Sequence, residues 1–367
     1  MSVEELKYQI AISLIPGIGN VLAKKLISYT GSIDAVFREK KKNLTKIPGI
    51  GEYLAERIES QDVLSIAEDE VAFIEKNNIK PFFYLDENYP IRLKQCEDAP
   101  VTFYLKGDSD LDSAKILSIV GTRNATHYGR EACEDIIHDL SENHPELIIV
   151  SGLAYGIDIS AHRSALKNKL QTIAVLAHGL NYLYPSSHLN ISREIISQGG
   201  LVTDFISTEK PEPNNFIKRN RIIAGLADGT LVVESGPEGG ALITADIANS
   251  YNREVMAIPG RIGDKYSSGC NALIKSNKAA LVESAKDIEF ILGWDTLRPD
   301  KGIQAELFPL LSSEEELLFD IIRNTGRISA DDISLKSGFS IQKTSALLLN
   351  LEFANHIKSL PGKIYTL

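Results

Sequence analysis

The feature that most constrains the fold of this 367-residue chain is an alternation of short apolar runs with segments of helical periodicity between residues 79 and 292. The runs are rich in β-branched residues, which is typical of parallel strands buried on both faces. The segments between them are long enough for right-handed crossover helices. The pattern predicts a doubly wound, Rossmann-like α/β domain with strands at Ile116–Val120, 147–150, 172–176, 201–203, 230–233 and 255–258.

Glycine-rich segments follow most of these predicted strands. In open α/β sheets, ligands bind beyond the carboxyl ends of the strands, so these segments are where we expect the functional site. They cover residues 121–123, 151–156, 178–179, 234–240 and 259–260.

Residues 1–78 contain an internal repeat, in which Ile-Pro-Gly-Ile-Gly occurs at 15–19 and again at 47–51. Each copy lies between two apolar helical patterns, so the glycines predict tight turns that expose backbone N–H groups at a helix start. This is typical of a helix-hairpin-helix, SAM-like domain. Such turns can hold a DNA phosphate, or the helices can serve packing alone; Glu52 and Glu56 in the second copy weaken the first interpretation.

The end of the chain predicts a linker at 293–312 and a winged-helix domain at 313–367. The linker has one anchoring aromatic, and the final segment predicts a hairpin that turns at Pro361-Gly362. Because the third helix offers only Gln342 and Lys343 as DNA contacts, packing or protein interaction is favoured over duplex reading. The apolar helix faces are predicted to contain Leu317, Leu318, Ile321, Ile333, Leu335, Leu347, Leu348 and Leu351.

The formal net charge of −10 argues against a protein that coats nucleic acid by bulk attraction, so any anion site must be local. Three scattered cysteines predict buried thiols and neither disulfides nor a zinc site. Walker A and Gly-x-Gly-x-x-Gly motifs are absent, and we expect no cofactor and no metal. The N-terminal residues lack the pattern of a secretory signal, and no apolar run is long enough to span a membrane, so we expect a cytoplasmic protein.

Two basic segments are the best candidates for a phosphate site. Gly121-Thr122-Arg123 follows a predicted strand, so backbone N–H groups and the Arg123 guanidinium should converge there; the alternative is an arginine paired with a carboxylate at the core edge. Lys218-Arg219-Asn220-Arg221 is the densest basic cluster, with Phe216 as a possible stacking ring. These cations cannot all face one way on a helix, so some should pair internally, and a solvated charged face is the alternative.

Weaker signals lie in the other glycine loops. Gly239, Gly240 and Thr244 open a predicted helix that could receive an anion or simply pack closely on the sheet. Asp158 and His162 lie four residues apart on another helix, which permits an acid–base pair with Ser151 as a candidate nucleophile. A helix-start aspartate that orients a histidine is the simpler interpretation.

In order along the chain, several strings resemble the DNA-processing protein A family, also called Smf. These strings are Val120-Gly-Thr-Arg-x-x-Thr-x-Tyr-Gly129, Ser151-Gly-Leu-Ala-x-Gly-Ile-Asp-x-x-Ala-His162, Ala174-Val-Leu-x-x-Gly-Leu-x-x-x-Tyr-Pro185, Phe216-x-x-Arg-Asn-Arg-Ile-Ile-Ala-Gly225, Leu242-Ile-Thr-Ala245 and Pro259-Gly. The resemblance implies a bacterial homodimer that binds single-stranded DNA, protects incoming DNA and passes it to the RecA recombinase in natural transformation.

The resemblance also implies which residues contact DNA and that the family has no hydrolytic role. The family's DNA-contacting arginine becomes Arg123, and its basic segment becomes Lys218, Arg219 and Arg221. One departure is Gly239-Gly240-Ala241, where the family often reads Ser-Gly-Ser, which removes hydroxyl donors. Together with the residue patterns, this gives the expected DNA contacts Gly121, Thr122, Arg123, Gly152, Phe216, Lys218, Arg219, Asn220 and Arg221.

Two other functions stay open from sequence. A nucleotide or nucleoside-phosphate hydrolase could use the same glycine loops, with Asp158, His162 or Glu234 in acid–base roles. A duplex-DNA regulator could use the winged helix and the N-terminal hairpins, although the acidic composition of residues 317–351 argues against it.

Overall fold

The two Pro-Gly repeats form turns between helices in a computed structural model, which describes residues 2–60, 62–294, 311–354 and 356–367. Most of the predicted linker, residues 295–310, lies outside the described residues. The N-terminal helices are α1 (Val3–Leu14), α2 (Asn20–Thr30), α3 (Ile33–Arg38), α4 (Lys41–Leu44), α5 (Glu52–Ser60) and α6 (Leu64–Lys76).

Glycine is required at both repeat turns for two reasons. Gly17 and Gly49 have φ values of +89° and +97°, a region that residues with a Cβ rarely adopt. A Cβ on Gly17 would also lie 2.9 Å from a methyl of Leu54, and one on Gly49 would lie 3.0 Å from a methyl of Leu22. Each turn therefore packs on the second helix of the other copy, which is the arrangement of a helix-hairpin-helix tandem.

The first hairpin copy is used for packing against the rest of the chain. Asn20 accepts a hydrogen bond from the Val101 amide at 3.1 Å, and the Lys24 ammonium donates to the Glu97 carbonyl at 3.0 Å. Phe83 and Tyr104 belong to the same apolar core as these helices. The interpretation of this domain as a packing bundle is thus supported for the first copy.

The central domain is a nine-stranded mixed sheet in the order β1-β2-β6-β5-β4-β3-β7-β8-β9. Its strands are β1 (Lys80–Phe83), β2 (Thr102–Gly107), β3 (Ile116–Val120), β4 (Ile148–Ser151), β5 (Gln171–Val175), β6 (Gly200–Thr203), β7 (Gly229–Val232), β8 (Glu254–Ala257) and β9 (Ala280–Leu281). Its helices are α7 (Ile91–Lys94), α8 (His127–Asn143), α9 (Ile157–Lys167), α10 (Leu189–Gln198), α11 (Pro213–Leu226), α12 (Gly240–Ser250), α13 (Ser268–Lys275) and α14 (Ala285–Ile291).

All six predicted strands are confirmed, with boundaries shifted by at most one residue. Strands β3 to β9 run parallel, whereas β1 and β2 extend the sheet in antiparallel fashion beyond β6. The sequence did not predict β1 and β2, because their runs contain aromatic residues, a lysine and Pro81 rather than continuous β-branched residues. Pro81 is tolerated because β1 is an edge strand, where a missing backbone donor costs little.

The sheet is covered on both faces because its strand residues alternate between two cores. Ile116 and Val120 pack with helices α7, α11, α12 and α13, whereas Leu117 and Ile119 pack with α8, α9 and α14. This alternation follows from the two-residue period of a strand. Trp294, the predicted anchoring aromatic, is buried in the second core with its ring 5.9 Å from that of His144.

The C-terminal domain has the predicted winged-helix layout, with a hairpin that turns at Pro361-Gly362. One expectation was wrong: Leu335 is 82% exposed and Leu317 is 43% exposed, since the helices turn Ile333 and Leu318 inward instead. The elements are α15 (Ser313–Thr325), β10 (Ile328–Ser329), α16 (Ala330–Ser337), α17 (Ile341–Phe353), β11 (Lys358–Leu360) and β12 (Ile364–Thr366).

The wing tip of this domain contacts the central domain at the end of the sheet opposite to the carboxyl ends of the parallel strands. Arg253 donates to the Pro361 carbonyl at 3.3 Å, and Arg327 donates to the Ala114 carbonyl. Because its tip is engaged in this way, the wing favours packing over duplex reading. Across the part of the chain that the structure describes, no helix is long and apolar enough to cross a membrane.

A buried ion pair links α7 to Asp228, the residue before β7, and leads to a prediction about stability. Arg92 binds Asp228 through two hydrogen bonds of 2.6 and 3.0 Å, and Asp228 also accepts from the Ile116 amide. Asp228→Ala would leave a buried guanidinium without its carboxylate, and we expect the free energy of unfolding in urea to fall by about 3–5 kcal/mol. Asp108→Ala, which removes an exposed pair with Lys80, is the matched control and should change stability little. Equal effects of the two substitutions would contradict this account.

Candidate functional site

A cleft opens where the direction of strand succession reverses, between β3 and β7. From β3 the chain proceeds outward through β4 and β5 to β6, then returns through α11 to β7 on the other side of β3. The loops after the two central strands therefore diverge and leave a crevice, the usual ligand position in such sheets. The crevice has a volume of about 660 Å³ and is lined by residues of the β3 and β7 loops, α9, α11 and α12.

Two glycines allow the loop after β3 to lie close to the start of α9. A Cβ on Gly121 would come within 2.4 Å of the Ile157 side chain, and one on Gly156 would come within 2.1 Å of the Thr122 carbonyl. The Thr122 amide donates to the Glu234 carbonyl at 2.7 Å. Of the backbone N–H groups expected to converge with the Arg123 guanidinium, that of Thr122 is therefore already bonded within the protein. Gly121 and Thr122 instead fix the loop that presents Arg123.

Arg123 is exposed at the mouth of the cleft. Its guanidinium lies 5.2 Å from the centroid of the Phe216 ring, and this ring meets Tyr184 edge to face at 5.7 Å. No ion pair joins Arg123 to an acid within the described residues, so the alternative of a carboxylate-paired arginine is not supported. The cleft thus presents an unpaired cation beside two aromatic rings.

Arg219 is buried below this surface and holds α11 to the strand ends. Its guanidinium donates to the Gly152 carbonyl at 2.7 Å and to the Val175 carbonyl. A Cβ at Gly152 would lie 2.2 Å from this guanidinium, so glycine makes the space it occupies. Burial lowers the pKa of Arg219 to about 10, opposed by the charge of Asp158, and the side chain stays protonated at neutral pH. Direct DNA contacts by Arg219 and Gly152 would require these bonds to be displaced.

The other members of the basic cluster differ in burial and in partners, because their spacing on α11 points them in different directions. Arg221 is paired with Asp204 and donates to the Asp98 carbonyl, and Asn220 is 8% exposed at the cleft wall. Lys218 is exposed and has no ion pair within the described residues. Lys218 is therefore the member of the cluster that a phosphate can reach without rearrangement.

The residues considered for acid–base chemistry do not form a reactive group. His162 is fully buried and donates from Nδ1 to the Thr172 hydroxyl at 2.7 Å, because that hydroxyl uses its own hydrogen on the Ile149 carbonyl. The Ser151 hydroxyl donates to the Ile119 carbonyl at 2.6 Å. Burial raises the pKa of Asp158, which accepts from the Ala154 amide.

Glu234 has a structural role that sequence reasoning missed. It is buried, and its carboxylate accepts from the Thr126 amide at 2.9 Å and from the Thr126 hydroxyl at 2.6 Å. Together with its carbonyl bond to Thr122, this joins the loop after β7 to the loop after β3. The sequence feature that could have indicated this role is the position of Glu234 at the start of the glycine-rich segment 234–240.

The first turn of α12 is open at the other wall of the cleft. No side chain caps it, and the Leu242 amide donates to the Gly239 carbonyl at 3.0 Å, which leaves the N–H groups of Gly240 and Ala241 for an anion. A Cβ on Gly239 would lie 2.3 Å from the Ser235 hydroxyl, and Gly240 has open space. Thr244 is buried with its hydroxyl turned toward the Gly240 carbonyl at 3.5 Å, which supports a packing role for this residue.

No group of histidine, cysteine and carboxylate side chains suited to a metal occurs in the part of the chain that the structure describes. The three cysteines are buried free thiols, as predicted, and burial raises the pKa of Cys96 to about 11.

A family model described as DNA recombination-mediator protein A matches residues 80–292, more than half of the chain. The chain belongs to this family. A SAM-like helix-hairpin-helix tandem model matches residues 10–59, and a DprA winged-helix model matches residues 305–363. The predicted family resemblance and three-part fold are confirmed.

Two relatives from bacteria agree with this membership. The DNA processing protein DprA of Streptococcus pneumoniae is 41% identical over 207 residues, which cover 56% of this chain and 72% of that protein. Protein Smf of Escherichia coli is 33% identical over 289 residues, which cover 75% and 74%.

Solved structures of the family are also similar. DprA from S. pneumoniae has a TM-score of 0.66 at 34% identity and covers 77% of this chain and 96% of its own. DNA processing protein A from Helicobacter pylori, described with a single-stranded DNA binding mode, has a TM-score of 0.53 at 25% identity and covers 59% and 96%.

Buried His162 predicts a pH dependence of stability. Burial lowers its pKa to about 3, so between pH 6.5 and 3 the unfolded chain binds a proton that the folded chain does not. This group therefore makes the free energy of unfolding fall, as pH decreases through that window, by up to about 1.4 kcal/mol per pH unit. His162→Gln should give a shallower decline in urea titrations, whereas exposed His127→Gln should not. Identical slopes for wild type and His162→Gln would refute the assignment.

Proposed function

We propose that this protein binds single-stranded DNA in the cleft between β3 and β7 without altering it chemically. Lys218 is exposed on α11 but does not line the cleft. The observation that carries the proposal is therefore the exposed, unpaired cation Arg123 beside the rings of Phe216 and Tyr184 in this cleft. Such a mixture suits a single strand, whose phosphates need cations and whose unpaired bases can stack on rings. A duplex hides its base faces and would gain nothing from Phe216 and Tyr184.

The residues have different roles in this proposal. Arg123 binds phosphate oxygens through its planar fork, and Lys218, exposed on α11 outside the cleft lining, adds a point charge for a phosphate at the edge of the site. Phe216 and Tyr184 offer ring surfaces to bases, while the open first turn of α12 at Gly239-Gly240 can receive a further phosphate. Gly121, Thr122, Gly152 and Arg219 act indirectly by fixing the loops and the helix that present these groups. Asn220 at the cleft wall can donate to a base or a sugar, and Arg221 supports α11 through Asp204.

The chemistry of the site does not favour the hydrolase alternative. Asp158, His162 and Ser151 are buried, and each is held by backbone groups or by Thr172. The net charge of −10 fits a protein whose DNA contact is confined to one cleft. The family relative from H. pylori with a single-stranded DNA binding mode supports the same substrate class.

We further propose that the bound strand is protected and passed to the RecA recombinase in the cytoplasm, with the protein acting as a homodimer. The membership of a recombination-mediator family supports this step. In this account, RecA should form filaments faster on a strand delivered by the protein.

Replacing either exposed cation should weaken binding. Arg123→Ala and Lys218→Ala should each lower the affinity for oligothymidine by about tenfold and reduce the slope of log affinity against log salt by about one, since each removes a phosphate contact. Fluorescence anisotropy across a salt series measures both quantities. Lys286→Ala, on α14 away from the cleft, is the matched control. Binding by both Arg123→Ala and Lys218→Ala at wild-type strength would remove the proposed site.

RecA loading should depend on the same cleft. We expect wild type to shorten the lag before RecA filaments form on single strands, and Arg123→Ala to leave the lag as long as with RecA alone. ATP hydrolysis by RecA on the strand measures the lag. An equal effect of wild type and Arg123→Ala would mean that any effect on RecA does not depend on the cleft.

The homodimer is tested separately. Light scattering should give a mass twice that of one chain.

A further inference from the structure

A second cleft lies at the same edge of the sheet, beyond the ends of β7 and β8. It has a volume of about 790 Å³ and is bounded by residues 126–128, the 259–267 loop and Glu283. Thr126, Tyr128, Glu234, Pro259 and Gly260 in its lining were noted in the sequence, but none of the lining residues was expected to contact DNA.

Two cations and two rings face this cleft. Arg261 and Lys265 are exposed, and neither forms an ion pair with an acid among the residues that the structure describes. Tyr128 is 50% exposed, with its hydroxyl donating to the Pro259 carbonyl at 2.8 Å, and Lys265 lies 5.3 Å from the centroid of the half-buried Tyr266 ring. This repeats the combination of unpaired cation and ring found at Arg123 and Phe216.

The two clefts share one wall. Glu234 bonds to Thr122 on the side of the first cleft and to Thr126 on the side of the second. The next residue, Ser235, donates from its amide to the Tyr266 carbonyl at 2.7 Å. The loops that carry Arg123 and Tyr266 are therefore attached to the consecutive residues Glu234 and Ser235. A DNA strand that leaves one cleft along this edge of the sheet reaches the other.

Another basic groove, between α8 and α9, is a weaker candidate for the path of a strand. There Lys167 is paired with Glu134, and Arg130 donates to the Ala125 carbonyl. Lys167 and Arg130 thus already have partners, and although Arg163 in the same groove has no ion pair among the described residues, no aromatic ring lines this groove.

We propose that a single strand held at Arg123 continues over the shared wall into this second cleft, where Tyr128 and Tyr266 stack bases and Arg261 and Lys265 bind phosphates. The inference rests on the proposed function. The acids Asp264 and Glu283 also line the cleft and offset part of its positive charge. Binding there therefore depends on stacking as well as on charge, and it should extend the length of strand held rather than provide the main attraction.

Oligothymidines of increasing length test the path. A strand of about 5 nucleotides should occupy the first cleft alone, and one of about 12 should reach the second, within the range known for single-strand grooves. Wild type should bind the longer strand more tightly than the shorter. Lys265→Ala and Tyr266→Ala should bind the short strand as wild type does but lose about three- to tenfold in affinity for the long one. Lys275→Ala, on the far end of α13, is the control.

The outcomes separate this inference from the proposed function. If Arg123→Ala weakens binding at every length but Lys265→Ala and Tyr266→Ala match wild type at every length, the second cleft is not on the path and the first remains. If wild type binds neither strand, the proposed function itself fails. Loss of short-strand affinity in Lys265→Ala or Tyr266→Ala, with an unchanged melting temperature, would overturn the division of the site into two parts.

Discussion

The candidate site depends on the hydrogen bonds that the buried guanidinium of Arg219 donates to two backbone carbonyls. This guanidinium links α11 to the carbonyls of Gly152 and Val175, which follow or end two neighbouring strands. Removing a charge from water is costly unless hydrogen bonds compensate it, so this contact fixes the helix in one position. Phe216 lies in the preceding turn of that helix and is presented to the cleft as a result. Arg219 is expected from the sequence to contact DNA, but in the structure it positions the residues that can make such a contact.

The fold was largely predictable, because parallel strands buried on both faces leave a strong pattern of apolar runs. The edge strands β1 and β2 were missed because aromatic residues and Pro81 do not give that pattern. Winged-helix packing was predicted in outline, yet Ile333 and Leu335 were both placed inside and only Ile333 is buried. In a short helix such as α16, tertiary contacts decide which of two nearby apolar residues is buried.

The candidate site was predictable as a region and less so as individual side chains. The loop positions of Gly121, Arg123 and Gly156 follow from strand ends and glycine spacing. The burial of Arg219 and the pairing of Arg221 do not, since they depend on carbonyls and acids that are distant in sequence. Tyr184 was missed as part of the site for the same reason, and Glu234 was considered only for acid–base chemistry and not for the bonds that join the two loops. Which exposed cations lie beside aromatic rings, as Arg123 lies beside Phe216, is a property of the folded chain and not of the sequence pattern.

The central claim is that the cleft selects a single strand by combining phosphate contacts with base stacking. Titration of the wild-type protein with oligothymidine and with a duplex of equal length, across a series of salt concentrations, tests it most directly. The account predicts tighter binding of the single strand at every salt concentration. It also predicts that log affinity falls with log salt with a slope of about −0.7 for each phosphate engaged. Equal or tighter binding of the duplex would contradict the account.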